Sequence, residues 1–413
     1  MRTTIPALLF LILLASCRTA QAPVAAGPAP REERGRPEPG FAPPAPEEAP
    51  AGEPLRLPDP PGKVPADQER IVEQTLRKLS LEQLIGQRLL TGVPGTRAGE
   101  RARRLVREGY VGGILLLGQN VANREQLIRL TADLQALAAQ NSPRVGLLVA
   151  VDQEGGRVSR LDMDRLSRFP PPRDWAAYRD PLYVQSVAYI TAREALALGC
   201  NLNLAPVLDL YARADGTIIG DRSLGDGAAE VAELGLAYLA GAHRAGLAAA
   251  IKHFPGHGRT VVDTHQRLAV LDVDTETLWR EDLLPFRRAI EDGVDAVMTA
   301  HILYPRLDPD FPVTLSSKIV RGLLRGRLGF EGVVISDDIE MGALAGTYPV
   351  REILKRSIAA GVDLILAIGG LDALKLSKEI KDLLERGEIS REQVEEGARR
   401  VLRLKAKYGL LPG

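Results

Sequence analysis

Short apolar runs recur eight times between positions 87 and 367, and longer amphipathic segments separate them. Within each run successive positions are apolar, which is typical of parallel strands that helices cover on both faces. The predicted strands are residues 87–91, 113–117, 147–152, 201–204, 248–252, 296–299, 333–336 and 364–367. Eight is the number of parallel strands that closes a (β/α)8 barrel.

Helical periodicity characterises the segments between the runs. The predicted helices are residues 71–79, 124–139, 184–198, 228–245, 276–291 and 350–360, a short helix opened by a capping box at residues 80–83, and a closing amphipathic helix at 390–408. With 45% hydrophobic residues, the chain can bury a large aliphatic core. We therefore expect a single catalytic domain over residues 67–413.

An open doubly wound sheet would show the same alternation, so the polar residues decide between the two folds. A barrel gathers functional groups at the carboxyl ends of several strands, whereas an open sheet concentrates them at one switch point. Here polar groups follow most of the later strands, at residues 152–157, 221–223, 252–253, 301 and 337–338, and no phosphate-binding glycine motif follows any of them. The sequence therefore favours a TIM-like (β/α)8 barrel.

Four of the five histidines lie between positions 253 and 301, which concentrates groups that exchange protons near neutral pH. The stretch of residues 252–265, KHFPGHGRTVVDTH, follows an apolar strand and breaks into loop residues. The i, i+4 spacing of His253 and His257 invites a zinc interpretation. Pro255 and Gly256 weigh against it, because they disfavour the helix that would bring the two rings to one face.

The first 66 residues differ in composition from the rest. Residues 1–17 combine Arg2, an apolar core and a small-residue segment before Cys17, and resemble a bacterial lipoprotein signal in which Cys17 becomes lipidated. A plain secretory signal or a short membrane anchor is the alternative. Residues 18–66 are rich in proline and predict an extended tether. We expect an exported protein anchored by lipid to the periplasmic side of the cell envelope, and Arg18 favours the outer membrane.

Charge and cysteine content exclude other classes of protein. The formal net charge is zero, which gives no reason to expect nucleic acid as a partner. The two cysteines, Cys17 and Cys200, exclude a disulfide framework, and Cys200 is expected to be an ordinary buried thiol.

Three motifs together resemble glycoside hydrolase family 3, in its bacterial β-N-acetylhexosaminidase branch. They are residues 152–158 (DQEGGRV), the stretch of residues 252–265, and residues 335–339 (ISDDI). The similarity extends over the globular part of the chain. It implies a TIM-like barrel that removes terminal β-linked N-acetylglucosamine (GlcNAc) from peptidoglycan fragments by a retaining mechanism, with no metal or other cofactor.

The resemblance also assigns the catalytic groups. The residue pattern alone does not separate Asp337 from Asp338; the family motif makes Asp337 the nucleophile, and Asp338 is then expected to be a structural hydrogen-bond acceptor. The motif makes Asp263 and His265 an acid/base pair, in which the carboxylate orients the ring and stabilises its protonated form. From the residues alone, His265 could equally pack or cap its loop.

Sugar-binding positions of the family correspond to Asp152, Arg160, Arg222, Lys252 and His253. Each of Asp152, Arg160 and Arg222 could instead form a surface ion pair. His301 is expected to support the floor of the pocket. Gly256 and Gly258 are expected to let the loop that carries His265 move.

Several alternatives to a β-N-acetylglucosaminidase stay open on the sequence. Within the family they are a β-glucosidase or β-xylosidase, and a phosphorylase that uses His265 because phosphate would be repelled by a carboxylate base. Outside enzymes, the chain could be an inactive lipoprotein that binds the cell wall. Arg259 and Thr264 depart from residues common in relatives, which are acidic and serine. We expect a monomer.

Overall fold

Eight parallel strands pair side by side in the computed structural model, which describes residues 65–211 and 218–412. The strands are β1 (Leu89–Thr91), β2 (Gly113–Leu116), β3 (Leu148–Val151), β4 (Leu202–Asn203), β5 (Ala248–Phe254), β6 (Ala296–Thr299), β7 (Val333–Ser336) and β8 (Ile365–Ala367). Each overlaps one of the apolar runs, so the predicted strand positions are confirmed. The strand β5 extends two residues further than predicted and includes His253 and Phe254.

The strands follow the order β7, β6, β5, β4, β3, β2, β1, β8. Between β7 and β8 the ring is completed by a parallel bridge that pairs Ile335 with Leu364. The Ser336 amide donates to the Leu364 carbonyl at 3.0 Å, and the Leu364 amide donates to Val334 at 3.0 Å. The predicted TIM-like barrel is therefore confirmed as a nearly closed one.

Alternate strand residues enter two different cores. Side chains such as Leu115, Ala150 and Ile335 fill the inside of the barrel. Their neighbours, such as Ile114, Val149 and Val334, pack outward against the helices. Because both faces of each strand are buried against apolar groups, the strands appear in the sequence as continuous apolar runs.

The helices surround this barrel. They are α1 (Ala66–Lys78), α2 (Leu81–Gly86), α3 (Glu100–Arg107), α4 (Arg124–Ala138), α5 (Pro172–Ala176), α6 (Pro181–Ala197), α7 (Ala228–Ala245), α8 (Thr275–Arg280), α9 (Leu283–Glu291), α10 (Gly342–Ala345), α11 (Val350–Ala360), α12 (Ala373–Glu385) and α13 (Arg391–Lys407). A π-helix spans Lys318–Arg327, and 3-10 turns lie at Gly118–Asn120, Gly220–Arg222 and Val313–Leu315. Short strand pairs join Gln153–Gly155 to Val158–Ser159, and Ala269–Val270 to Ile302–Leu303.

The prediction of one helix over residues 276–291 is wrong, because the segment forms α8 and α9 with a break at Glu281 and Asp282. Pro285 has no amide hydrogen to donate to the carbonyl of Glu281, so a continuous helix cannot pass through this point. The capping box at Ser80 and Gln83 is present as expected.

The last helix closes the amino-terminal end of the barrel. Val401 and Leu404 of α13 belong to the inner core. Lys405 donates to Gln87 Oε1 at 2.6 Å and Lys407 donates to Asp295 Oδ1 at 2.5 Å. Gln87 and Asp295 both precede strands, so the opposite end, where the strands finish, remains open for a ligand.

The predicted signal with Cys17 and nearly all of the predicted tether lie outside the described residues. Among the described residues, no helix is long and apolar enough to cross a membrane.

Candidate active site

A buried lysine joins two acidic side chains where β3 and β5 end. Lys252 Nζ lies 2.6 Å from Asp152 Oδ1 and 2.7 Å from Glu154 Oε1. Arg222 reaches the same glutamate with two nitrogens, each 2.7 Å from a carboxylate oxygen. The Glu154 side chain is 1% exposed, whereas that of Asp152 is 18% exposed. Glu154 is therefore enclosed by its partners, and Asp152 is the member that can meet a ligand.

These four side chains balance each other in charge. Burial raises the pKa of Glu154, but Lys252 and Arg222 outweigh it and hold that pKa well below the ordinary range. Burial lowers the pKa of Lys252, but Asp152 and Glu154 leave it above its usual value. The cluster is thus a fixed arrangement of two cations and two anions near neutral pH. Such a rigid, partly desolvated group can orient sugar hydroxyls.

Asp209 holds in place two histidines, His253 near the end of β5 and His257 just after it. Its carboxylate accepts from His253 Nδ1 at 2.7 Å, from the His253 amide and from the His257 amide at 2.6 Å. The ring of His257 contacts Thr264 Oγ1 at 2.9 Å. The two rings lie 5.6 Å apart, centroid to centroid. No group of three or more His, Cys, Asp or Glu side chains in the described residues is arranged to hold a metal ion.

Asp337 and Asp338 follow β7 directly and have different surroundings. Asp337 Oδ1 accepts from the Asp338 amide at 2.8 Å, and no hydrogen bond from a described residue reaches Oδ2. Burial raises the pKa of Asp337, but the neighbouring His253 and His301 bring it below its usual value. The free oxygen therefore belongs to an ionised carboxylate at neutral pH.

Asp338 is instead part of the turn that follows the strand. Its Oδ1 accepts from the amides of Glu340 at 3.1 Å and Ile368 at 3.4 Å. Burial raises the pKa of Asp338 to about 6. This agrees with the structural role expected for it.

Asp263 and His265 lie together on the loop after β5. Asp263 Oδ1 accepts from the His265 amide and from its Nδ1, both at 2.9 Å. The side chains are 34% and 67% exposed. Because Nδ1 is bound to the carboxylate, Nε2 is the ring nitrogen that faces outward and can exchange a proton. The backbone oxygen of His265 accepts from the Gly342 amide at 2.9 Å, which ties this loop to the segment that follows Asp337.

The stem of the same loop is tightly packed. A Cβ atom at Gly258 would lie 1.7 Å from the Leu210 carbonyl oxygen, and Gly256 has a φ of +138°. The Gly256 carbonyl accepts from the Tyr304 hydroxyl, and Arg259 Nε lies 2.8 Å from Asp282 Oδ2. The local backbone geometry thus favours glycine at both positions. The motion of the loop stays a prediction.

Comparison with known proteins identifies the class of enzyme to which this constellation belongs. Residues 78–404 match the family model for the glycosyl hydrolase family 3 N terminal domain. A β-hexosaminidase of Xylella fastidiosa strain M23 is 41% identical over 284 residues, which cover 67% of this chain and 82% of the relative. The chain belongs to glycosyl hydrolase family 3.

Solved structures of family 3 enzymes have the same fold. A glycoside hydrolase family 3 β-N-acetylglucosaminidase from Paenibacillus sp. str. FPU-7 matches with a TM-score of 0.78 and 41% identity, covering 81% of this chain and 64% of that one. A β-N-acetylhexosaminidase from Beutenbergia cavernae DSM 12333 has a TM-score of 0.75 and 33% identity, covering 79% of this chain and 98% of that one. The resemblance found in the three motifs is confirmed.

Several predicted site residues of this family 3 hydrolase occupy one cluster. Asp152 and Lys252 are in direct contact, and Arg222 joins them through Glu154, so Asp152 and Arg222 form buried or half-buried pairs rather than surface ones. Within the described residues, the hydrogen bond of Arg160 is that of its backbone amide, to Gln153 Oε1 at 2.9 Å. Its buried Nε atom has no partner among them, and no ion pair with a described carboxylate explains this side chain.

Sequence reasoning missed two acidic side chains and two positions on the loop. Glu154 stands inside the first motif, where only Asp152 was assigned, and Asp209 interrupts an apolar run after β4. A carboxylate within an apolar run could have signalled the latter. His257 was considered only as a metal ligand, and Thr264 only as a departure from serine. Their roles depend on partners that are brought close by the barrel.

Proposed function

We propose that this family 3 hydrolase is a retaining exo-β-N-acetylglucosaminidase that acts on peptidoglycan or muropeptide fragments. In this proposal Asp337 is the nucleophile, and His265 with Asp263 is the acid/base pair. Its β-hexosaminidase relatives, which are up to 41% identical, support the sugar specificity.

One observation carries the assignment of roles. An ionised, partly exposed carboxylate at the end of β7 is joined, through the bond from Gly342 to the His265 carbonyl, to a loop that presents an exposed imidazole. Retaining cleavage needs a nucleophile and a proton donor of this kind. The two groups follow different strands, β7 and β5, and the proposal requires them to act on the same glycosidic bond.

The proposed reaction has two steps. Asp337 Oδ2 attacks the anomeric carbon, the bond to the leaving oxygen breaks, and His265 Nε2 donates its proton to that oxygen. The sugar is then held as an ester of Asp337. His265 Nε2 next takes a proton from water, which attacks the anomeric carbon and releases Asp337. Throughout, Asp263 accepts from Nδ1 and orients the ring.

Substrate binding is assigned to Asp152, Lys252, His253, Arg160 and Arg222. Asp152 would accept from hydroxyls of the terminal sugar, since its carboxylate contacts Lys252 and stays partly exposed. Lys252 and Arg222 would act mainly by fixing the acidic groups. Arg160 offers an Nε donor that no described residue uses.

The location in the cell is a proposal from the sequence alone. We propose that Cys17 carries lipid and that the proline-rich segment holds the barrel away from the membrane, where cell-wall glycans are available. Radiolabelled palmitate should label the expressed protein, and Cys17→Ser should abolish the label. A labelled Cys17→Ser protein would contradict the lipid anchor.

Hydrolysis of aryl β-glycosides by the purified full-length protein tests the function. We expect release of the aryl group from the GlcNAc glycoside and far slower release from the glucose and xylose glycosides, independent of added phosphate. NMR of the first product should show the β-anomer, since two inversions retain configuration. An Asp337→Ala preparation serves as the control for contaminating hexosaminidases.

Each alternative has its own result in this assay. Preference for glucose or xylose would indicate a different glycosidase of the same family. Formation of a sugar phosphate would indicate a phosphorylase. Inactivity on every GlcNAc substrate would overturn the proposal and favour a wall-binding protein.

A further inference from the structure

Thr264 is a buried residue between two exposed ones. It is 1% exposed, whereas its neighbours Asp263 and His265 face the solvent. Its carbonyl accepts from the Ala343 amide at 3.1 Å, and its hydroxyl lies 2.9 Å from His257 Nε2. The acid/base pair is thus attached to the barrel through the one residue between its two members.

His257 is itself held rigidly. Its amide donates to Asp209 Oδ1 at 2.6 Å, and the same carboxylate binds the ring of His253. His257 and Asp209 are both buried. A continuous set of contacts therefore runs from the end of β5, through Asp209, His257 and Thr264, to the catalytic loop.

The hydrogen bond between His257 and Thr264 involves a ring that is neutral near pH 7. Burial, and then the neighbouring His253, lower the pKa of His257 to about 4, so the ring is neutral near pH 7. Nδ1 is buried and has no partner among the described residues. Either Nε2 donates to Thr264 Oγ1 or Oγ1 donates to Nε2, and in both cases one hydrogen bond joins the two side chains.

We infer that His257 and Thr264 are positioning residues that set the place of the His265–Asp263 pair for proton transfer to the leaving oxygen. This rests on the proposed function. Neither residue needs to touch the substrate: the hydrogen bond between them fixes the backbone from which Asp263 and His265 project. Its loss should misplace the proton donor while leaving Asp337 and the sugar-binding cluster in position.

The test compares leaving groups in Thr264→Val, which keeps the shape of the side chain and removes the hydroxyl. With a phenyl β-GlcNAc glycoside, whose leaving oxygen needs a proton, we expect kcat/KM to fall about tenfold or more. With the 2,4-dinitrophenyl glycoside, whose leaving group needs none, we expect a fall of less than about threefold. Thr264→Ser keeps a hydroxyl and should restore most of the wild-type ratio between the two substrates.

Thr260→Val is the matched control, because Thr260 is a buried threonine of the same loop whose hydroxyl accepts from the Val262 amide at 2.9 Å, whereas the hydrogen bond of the His257 ring goes to Thr264. In Thr260→Val, kcat/KM should change by the same factor for both substrates. Equal losses on both substrates in Thr264→Val, or no loss, would overturn the inference.

Two further outcomes are also decisive. Unfolding of Thr264→Val, seen by circular dichroism, would contradict the inference, since the hydroxyl would then hold the barrel rather than the pair. A wild type that is inactive on both glycosides would overturn the proposed function itself, whereas an active wild type with an unaltered leaving-group ratio in the variant overturns only the positioning role.

Discussion

His301 Nε2 lies 3.0 Å from the backbone oxygen of Asp338, a residue 37 positions later in the chain. A carbonyl oxygen only accepts, so Nε2 carries the hydrogen and Nδ1 accepts from Thr314 Oγ1 at 2.8 Å. The ring is fully buried, and burial lowers its pKa. With both nitrogens engaged, His301 supports the turn of Asp337 and Asp338, and its place at the floor of the pocket stays a prediction.

The two aspartates of this turn should differ sharply in their effect on catalysis. Asp337→Ala removes the carboxylate that we propose attacks the sugar, and kcat should fall at least about a thousandfold with unchanged circular dichroism. Asp338→Asn keeps an oxygen that can accept from Glu340, so its loss should be below about tenfold. Steady-state kinetics on one activated GlcNAc glycoside measures both. A larger loss in Asp338→Asn than in Asp337→Ala would mean that Asp338, and not Asp337, is the nucleophile.

Removal of the proposed proton donor should be reversible by an external nucleophile. His265→Ala lacks the base that activates water, and azide, which needs no deprotonation, should restore turnover of an activated glycoside and give a β-glycosyl azide. Product analysis by mass spectrometry and NMR measures this. Wild-type protein treated with azide is the control. Absence of rescue together with wild-type turnover of phenyl glycosides would exclude the role of His265.

Glu154 should contribute to stability in a manner that depends on pH. Its pKa is lowered in the folded protein, so the contribution is present above the ordinary value of 4.5 and is lost as the pH falls through the lower folded value. Glu154→Gln leaves Arg222 without the carboxylate it contacts and leaves Lys252 with Asp152 alone, and should reduce the free energy of unfolding by about 3 kcal/mol at pH 7. The difference from wild type should shrink below pH 4.5.

Urea unfolding at several pH values measures this difference. Glu82→Gln is the control, because Glu82 pairs with Lys381 at 2.7 Å on the surface. Glu82→Gln should lower the free energy of unfolding by less than about 1 kcal/mol. A Glu154→Gln protein as stable as wild type would show that the buried cluster is not held by its charges.

Lys405 should also make stability rise with pH, but in the alkaline range. Burial lowers its pKa from 10.5 to about 7, so the folded protein binds fewer protons than the unfolded chain between these values. The stability of the wild type, relative to Lys405→Met, should therefore rise from pH 7 to 10.5 by on the order of 3 kcal/mol. The exposed Lys375, changed to Met, is the control. A flat difference would contradict a neutral buried amine.

Gly258 should tolerate no side chain. Gly258→Ala would place Cβ 1.7 Å from the Leu210 carbonyl oxygen, and the clash should displace the chain beside Asp209. We expect a loss of more than about 2 kcal/mol in the free energy of unfolding, together with reduced turnover. Gly99 has a φ of −76° and open space around it, so Gly99→Ala should change stability by less than about 0.5 kcal/mol. Equal effects of Gly258→Ala and Gly99→Ala would mean that the loop stem shifts to make room for the added Cβ.

The sequence by itself determined the barrel and the places where its chemistry is found. Apolar strands buried on both faces carry a pattern that depends only on local order, so the eight positions could be recognised directly. The motifs at residues 152–158, 252–265 and 335–339 then indicated three strand ends, and the family match confirmed what they resemble.

Only the tertiary structure decided which side chains act together. Glu154 meets Arg222 across 68 residues, and Lys252 meets Asp152 across 100. Asp209, His257 and Thr264 form one set of contacts for the same reason: strands distant in sequence become neighbours when the sheet closes. Periodicity records which face of an element is buried, but not the partner of a polar group. That choice depends on register and on the approach of loops in the folded barrel.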